Sequence, residues 1–314
     1  MQKVEQKLFI LFLIIALMSC RKDSLPPINY QTKNVIVVVI DGARYSETWG
    51  DPSHQYIPRL ANQLAMNGLI NTNFYNNGAT YTVPGHTAIT TSNYQGINNG
   101  GSELPQYPSI FQYWLEAYNK APSASWVIAS KDKLEVLSNC KEAEWNDKYN
   151  PSTNCGVNGL GSGYRNDSIT YDKTIEVLST HHPQLVLINF REPDYSAHDN
   201  NWDNYTKGIL DSDEYLYKIW SFIENDSFYR STTTLFVTND HGRHLDNIGG
   251  GFAAHGDGCE GCRHINFFAA GPDFKQDCII GTERELIDIP VTIAELLHFQ
   301  IPNSHGEIMF ELFK

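Results

Sequence analysis

Apolar residues recur along the chain in short blocks separated by stretches of helical spacing. VIVVVI at 35–40 is a continuous β-branched run, as expected of a strand buried on both faces. WVIA at 126–129, LVLINF at 185–190, TLFVT at 234–238 and INFFAA at 265–270 read as further strands. Helical spacing fills 57–66 (ending at Gly68), 109–118, 167–178, 205–223 and 287–297. Strand alternating with helix predicts an α/β fold, a three-layer α/β/α arrangement around a mostly parallel central sheet. No internal repeat and no second linker interrupts the pattern, so 34–314 is expected to be one domain. Two stretches fall outside it. The Asn-, Gly- and Ser-rich 139–165, with its GLGSGYR segment, and the glycine-rich 242–263 are expected to be long loops that shape a substrate site.

The N-terminal twenty residues follow another pattern. Lys3 and Lys7 precede an apolar run at 8–18 that is too short to span a bilayer, and the run ends in Leu17-Met18-Ser19-Cys20. This resembles a bacterial lipobox, so 1–20 is expected to be a lipoprotein signal peptide that leaves Cys20 as the lipidated N-terminus. An ordinary signal peptide with a chance cysteine is the plainer reading. RKDSLPPINYQTK at 21–33 reads as a tether. The protein is then expected to be exported and lipid-anchored to a bacterial membrane, on its periplasmic or cell-surface face.

Composition narrows the partners. The formal charge is −13 with no basic run, which provides no electrostatic footprint for nucleic acid. An anionic ligand would need a local source of positive charge, and bound metal ions are one. Export permits disulfides, and Cys140 with Cys155 is the simplest loop-closing pair among the five remaining cysteines. Cys259-x-x-Cys262 lacks a second CxxC, so no structural zinc site is expected there.

The candidate chemistry lies just beyond three of the strands, where open parallel sheets bind their ligands. The first runs into Asp41, the third into Asp194 and the fourth into Asp240-His241. Any one such acid serves equally as a helix cap or turn residue. Asp194 and His198 are four apart, which on a helix places both on one face, able to grip an ion such as zinc. Thr82-Val83-Pro84 opens a helix, where the dipole and free backbone N–H groups favour an anion, although a plain N-cap explains Thr82 as well. A threonine hydroxyl becomes a nucleophile only when a base or a metal lowers its pKa.

In order, these segments resemble the alkaline phosphatase superfamily, particularly its nucleotide pyrophosphatase/phosphodiesterase branch. They are Asp41-Gly42, Thr82 to His86, Pro193-Asp194 to His198, Asp240-His241-Gly242, His255-Gly256, Gly271-Pro272 and the C-terminal IDIPVTIAELLHFQIPNSHGEIM. The resemblance extends over 34–314. It implies two divalent metal ions, with zinc preferred. One would be held by Asp194, His198 and His255, and the other by Asp41, Asp240, His241 and the Thr82 oxygen. It also implies attack by Thr82 on phosphorus and hydrolysis of a phosphothreonine intermediate, with phosphodiester or pyrophosphate substrates favoured. A phosphomonoesterase or sugar-phosphate mutase would use the same ions.

The sequence departs from the family pattern in places. Asn98 and Asn99 both offer the asparagine that often serves the phosphoryl group, at a shorter spacing than usual. Arg44, Lys131 and Lys133 are candidate phosphate contacts, with solvated charge as the alternative, and His86 and His244 read as supporting or structural. A sulfatase would place Cys or Ser where Thr82 stands and Arg where His86 stands. A ligand-binding lipoprotein on an inactive scaffold would lack some of the seven ligand positions, and all seven are filled.

Overall fold

The structure is a computed structural model that describes residues 29–314. Among them, nine strands form one sheet: β1 (Asn34–Ile40), β2 (Gly68–Tyr75), β3 (Ser125–Ala129), β4 (Ser152–Cys155), β5 (Leu185–Phe190), β6 (Thr233–Thr238), β7 (His264–Ala270), β8 (Cys278–Ile280) and β9 (Arg284–Glu285). The helices are α1 (Thr82–Thr91), α2 (Ile110–Ala117), α3 (Asp167–His181), α4 (Asp194–His198), α5 (Trp202–Asn225), α6 (Glu260–Arg263) and α7 (Asp288–Leu296).

Strand order is β4-β3-β5-β1-β6-β7-β2-β8, with β9 also on β2. From β4 through β6 every neighbour is parallel, and β7 alone runs against its neighbours β6 and β2. The expected mostly parallel α/β sheet is therefore what forms. Each strand alternates its side chains between two apolar layers. Val35, Val37 and Val39 face a core closed by α1, α2 and α7. Ile36, Val38 and Ile40 face the other, closed by α3 and α5.

Local sequence sets the helix ends. Ser109 caps α2 with a reciprocal capping box to Gln112, and Asn201 caps α5 by accepting from the Asn204 N–H. The α5 stripe Tyr205, Ile209, Leu216, Ile219 and Ile223 is fully buried.

Four expectations need correction. Residues 57–66 do not form a regular α-helix: Leu60–Leu64 is a π-helical turn followed by a 3-10 turn. The Asp213 carboxylate on α5 accepts from the Arg59 and Leu60 N–H groups at 2.7 and 2.8 Å and anchors this widened turn. The 139–165 stretch is not all loop, because 152–155 pairs with β3 as an edge strand. The last residues of the stretch expected to be a tether belong to the fold instead, since Tyr30 and Thr32 are buried. The Tyr30 hydroxyl donates to Glu295, and Thr32 bonds Asp273 through both its N–H and its hydroxyl. Finally, Cys140 and Cys155 are both free thiols, each buried. Cys20 and the expected signal peptide lie outside the described residues.

Candidate metal centre and nucleophile

Four adjacent parallel strands, β3, β5, β1 and β6, end at the same edge of the sheet. Past those ends come Lys131, Asp194, Asp41 and Asp240-His241 respectively, so the fold gathers groups that are far apart in sequence. The crossing is tight. Gly42 sits at φ +67°, and a Cβ there would lie 2.9 Å from the Asp194 Cβ, so only glycine lets the β1 end pass α4.

The gathered side chains form two cages. In the first, the His198 Nε2 lies 3.3 Å from Asp194 Oδ1 and 3.2 Å from His255 Nε2, which is itself 3.5 Å from Asp194 Oδ1. In the second, the His241 Nε2 lies 3.6 Å from Asp41 Oδ1 and 3.5 Å from Asp240 Oδ2. These three atoms are fully buried and none has a hydrogen-bond partner. The His241 and His255 rings stack at 4.0 Å, so His241 also reaches the first cage.

Three buried acceptors aimed at one point are costly unless a cation sits among them. Carboxylate oxygen and imidazole nitrogen are the donors a divalent ion such as zinc takes. The residues therefore fit the divalent ions that the sequence resemblance implies. Ligand orientation is also provided. His255 Nδ1 donates to the Thr80 carbonyl and His241 Nδ1 to the Gly242 carbonyl, which leaves each Nε2 lone pair directed inward. Burial pushes the His241 pKa down to about 3 and that of His255 to about 4, so both are neutral, as ligation requires.

Lys131 links the two cages. Its Nζ lies 2.9 Å from Asp41 Oδ2, 2.7 Å from Asp194 Oδ2 and 3.1 Å from the Thr82 Oγ1. Each aspartate thus gives one oxygen to the ammonium and turns the other to its cage. Burial alone would lower the lysine's pKa, but Asp194, Asp41 and Asp240 more than reverse this and keep it charged. Burial likewise opposes ionisation of Asp194, yet Lys131, His198 and Arg243 hold its pKa well below the usual range. Lys131 and Arg243 stand against Asp41, Asp194 and the nearby Asp240, so these five groups sum to about one negative charge before any ion binds, with Lys133 bonded to Asn99 and not to a carboxylate.

Thr82 is the first residue of α1 and is buried, as are all ten residues of that helix. The Val83 N–H is not free for an anion, because it donates to Asn99 Oδ1 at 2.9 Å. Lys133 Nζ donates to the same oxygen at 3.1 Å, and two donors on Oδ1 leave the Asn99 amide nitrogen as the group it can offer. Asn98 is exposed and bonds Glu103 instead. Of the two asparagines, the structure brings Asn99 to the first turn of α1, on the residue that follows Thr82.

Arg44 is a correction. It is buried and committed, with Nε and Nη2 on Glu47 at 2.6 and 2.8 Å, and Nη1 on the His244 carbonyl and Asp246. Its guanidinium braces the 242–263 loop. Lys131 and Lys133 are also not solvated, being 2 % and 8 % exposed. His86 supports the second cage, with Nε2 3.2 Å from Asn189 Nδ2, which in turn donates to Asp41 Oδ2.

Two residues here escape the sequence reading. Arg243 bonds Asp194 Oδ1 and the carbonyls of Phe252 and Ala253, hidden in a motif whose Asp and His drew notice. Asn189 is the other, and its polar side chain inside the apolar run LINF was a legible signal.

The family match and the structural neighbours place the chain in the alkaline phosphatase superfamily, whose members include hydrolases and mutases acting on phosphate or sulfate esters. A sequence model of the sulfatase family matches residues 33–299, and the chain belongs to that family. Phosphonate monoester hydrolase from Silicibacter pomeroyi superposes with a TM-score of 0.63 at 13 % identity, over 88 % of this chain and 76 % of that one. Murine ectonucleotide pyrophosphatase/phosphodiesterase 5 superposes with a TM-score of 0.63 at 15 % identity, over 90 % of this chain and 100 % of that one. Phosphopentomutase from Clostridium novyi (strain NT) is 28 % identical over 137 residues, 43 % of this chain. That match spans only 31 % of the mutase.

Proposed function

We propose that the chain hydrolyses phosphate esters, with phosphodiesters or pyrophosphates favoured, through Thr82 as nucleophile and two zinc ions. The observation that carries this is the trio of buried, unpartnered atoms Asp41 Oδ1, Asp240 Oδ2 and His241 Nε2, beside the Asp194-His198-His255 cage and the Thr82 hydroxyl. Asp194, His198 and His255 would hold one ion, and Asp41, Asp240, His241 and the Thr82 oxygen the other. When bound, the ions supply positive charge that activates the attacking oxygen and stabilises the leaving one.

The chain's own groups do the rest. Lys131 donates to the Thr82 oxygen, which favours its deprotonated form, and stays charged to meet the phosphoryl oxygens. The Asn99 amide, fixed by Val83 and Lys133, is placed to donate to a non-bridging oxygen. Thr82 attacks phosphorus, the alcohol or phosphate leaves, and water then cleaves the phosphothreonine. Export with a lipid on Cys20 belongs to the same reading, and mass spectrometry of the mature N-terminus tests it.

A mutase or monoesterase is the second reading, favoured by the phosphopentomutase match and by two buried lysines beside the nucleophile. A formylglycine sulfatase is disfavoured because the nucleophile position holds Thr82. The test is a panel of matched aryl mono-, di- and sulfate esters at fixed zinc, with Thr82→Ala alongside. Thr82→Ala should keep the fold and most of the metal but lose several orders of magnitude in kcat/KM. Turnover within a few-fold of wild type would overturn the mechanism. A monoester preference above tenfold, about 1.4 kcal/mol, would favour the second reading.

A further inference from the structure

The glycine-rich loop after β6 brings together a second, separate set of metal-type donors. His244 enters from its start, and Asp257, Cys259 and Cys262 from its end. One donor atom of each lies within 4.8 Å of all the others. The Cys259 and Cys262 sulfurs are 3.4 Å apart, a non-bonded contact rather than the ~2.05 Å of a disulfide. His244 Nε2 lies 3.0 Å from Asp257 Oδ1. For zinc, with ~2.3 Å to sulfur and ~2.0 Å to nitrogen or oxygen, tetrahedral edges are roughly 3.8 Å between sulfurs and 3.3 Å between N and O. Both contacts need only open by about 0.3–0.4 Å to receive the ion.

The histidine carries the argument. Its side chain is 7 % exposed, and its Nε2 is buried with no hydrogen-bond partner despite the nearby carboxylate. Its Nδ1 faces the Gly249 carbonyl at 2.5 Å. A carbonyl only accepts, so Nδ1 carries the proton and the Nε2 lone pair points at the cluster, the arrangement typical of a ligating histidine. The loop is shaped to permit this. Gly249 has φ +49°, and a Cβ there would lie 2.3 Å from His244 Nδ1. Cys262 is fully buried, and its carbonyl accepts from the Gly242 N–H at 2.7 Å.

We propose that His244, Asp257, Cys259 and Cys262 form a structural zinc site that staples the two ends of this loop. The lone CxxC did not suggest it, because the other two donors are supplied by loop closure and not by a second CxxC. The site has a consequence for its surroundings, since His255 lies on the stapled segment and Arg243 directly precedes it. It does not depend on the catalytic reading, because the cages at Asp41 and Asp194 contain no cysteine.

That difference supplies the test. Cobalt(II) added to the metal-stripped full chain should give a thiolate-to-cobalt charge-transfer band in the near ultraviolet, saturating at about one equivalent of thiolate-bound ion. Cys259→Ser with Cys262→Ser should abolish the band while Thr82→Ala retains it. Should the double variant fail to fold, Asp257→Ala decides, since its side chain is 54 % exposed. It should keep the fold and the band but weaken cobalt affinity by about tenfold or more. Three results would each overturn the proposal: no charge-transfer band in folded wild type, a Cys259–Cys262 disulfide in the purified protein, or unchanged affinity in Asp257→Ala.

Discussion

Lys131 is the group whose removal best separates the apo from the metal-loaded protein. Its ammonium contacts Asp41 and Asp194 at 2.9 and 2.7 Å, and all three side chains are at most 4 % exposed. Lys131→Met keeps an unbranched apolar stem, one atom shorter, and deletes the charge. Without metal, two buried carboxylates lose their shared partner and the excess negative charge of the cluster doubles. Breaking a buried pair by removing one member costs about 3–5 kcal/mol. For a domain of this size that lowers Tm by roughly 6–10 °C.

With both ions bound the expectation changes. Four positive charges then lie beside the same carboxylates, so the loss in Tm should fall to less than half. Activity should not recover with it, because the lysine also donates to Thr82 Oγ1 at 3.1 Å. Loss of one such charge-stabilising donor costs about 10²–10³ in kcat. The assay is calorimetry of wild type and variant in chelator and in excess zinc, with turnover of the best substrate at full zinc occupancy. A chelated variant that melts within 2 °C of wild type, or turnover within threefold, would refute the reasoning.

Other outcomes follow from the same geometry. His255→Ala should reduce bound zinc by about one ion per chain. His264→Ala should not, because His264 is stacked on Tyr45 at 3.9 Å and bonded to the Thr72 carbonyl; metal analysis showing the reverse would reassign the ligand. Asn99→Ala should lower kcat/KM by about 10² while Asn98→Ala leaves it unchanged, and equal effects would dissolve the distinction. Arg44→Ala strands the buried Glu47 and should cost about 3–5 kcal/mol of stability, with kcat of the surviving fold within a few-fold of wild type. The metal-free protein should also be acid-sensitive in a defined window. His241 and His255 have folded pKa values of about 3 and 4, below the ordinary 6.5. The unfolded chain therefore binds more protons between those values and 6.5, and stability is lost as pH falls through that range. Two groups give about 2–3 kcal/mol per pH unit below pH 6, so chelated denaturation curves at pH 7 and 5 that coincide would contradict it.

The strands that build the site were the most legible part of the sequence, and the reason is physical. β1, β5, β6 and β7 are central strands covered on both faces, which forces continuous apolar runs. β8 and β9 are three and two residues long, too short for any pattern. β2 carries a register shift between Asn71 and Phe74, and its Asn71 amide bonds the Thr282 carbonyl, so its polar residues mask the strand. The acids were legible because they sit directly past the strands. The charged partners were harder, since a lysine or arginine reads as solvated until the fold shows what it meets. Lys131 and Arg44 are both buried, yet one lies in the site and the other braces a loop. Only the topology separates them, because β3 is the neighbour of β5 at the site edge whereas Arg44 is turned back onto Glu47.

The same topology resolves how so acidic a chain could bind an anion. Long-range repulsion from a charge of −13 is screened within about 8 Å at physiological ionic strength, whereas the site works at contact distance. At that distance the sum is local. The gathered residues are near neutrality with one excess negative charge, held by Lys131 and Arg243 against three carboxylates. Two divalent ions would carry it to about three positive charges, enough for a phosphoryl group and its attacking oxygen together. A site of this kind repels its substrate when empty and attracts it when loaded. Binding of a non-hydrolysed phosphate ester should therefore require prior metal. Isothermal titration into chelated protein that gives the same affinity as into zinc-loaded protein would show that the side chains alone, and not the ions they hold, recruit the anion.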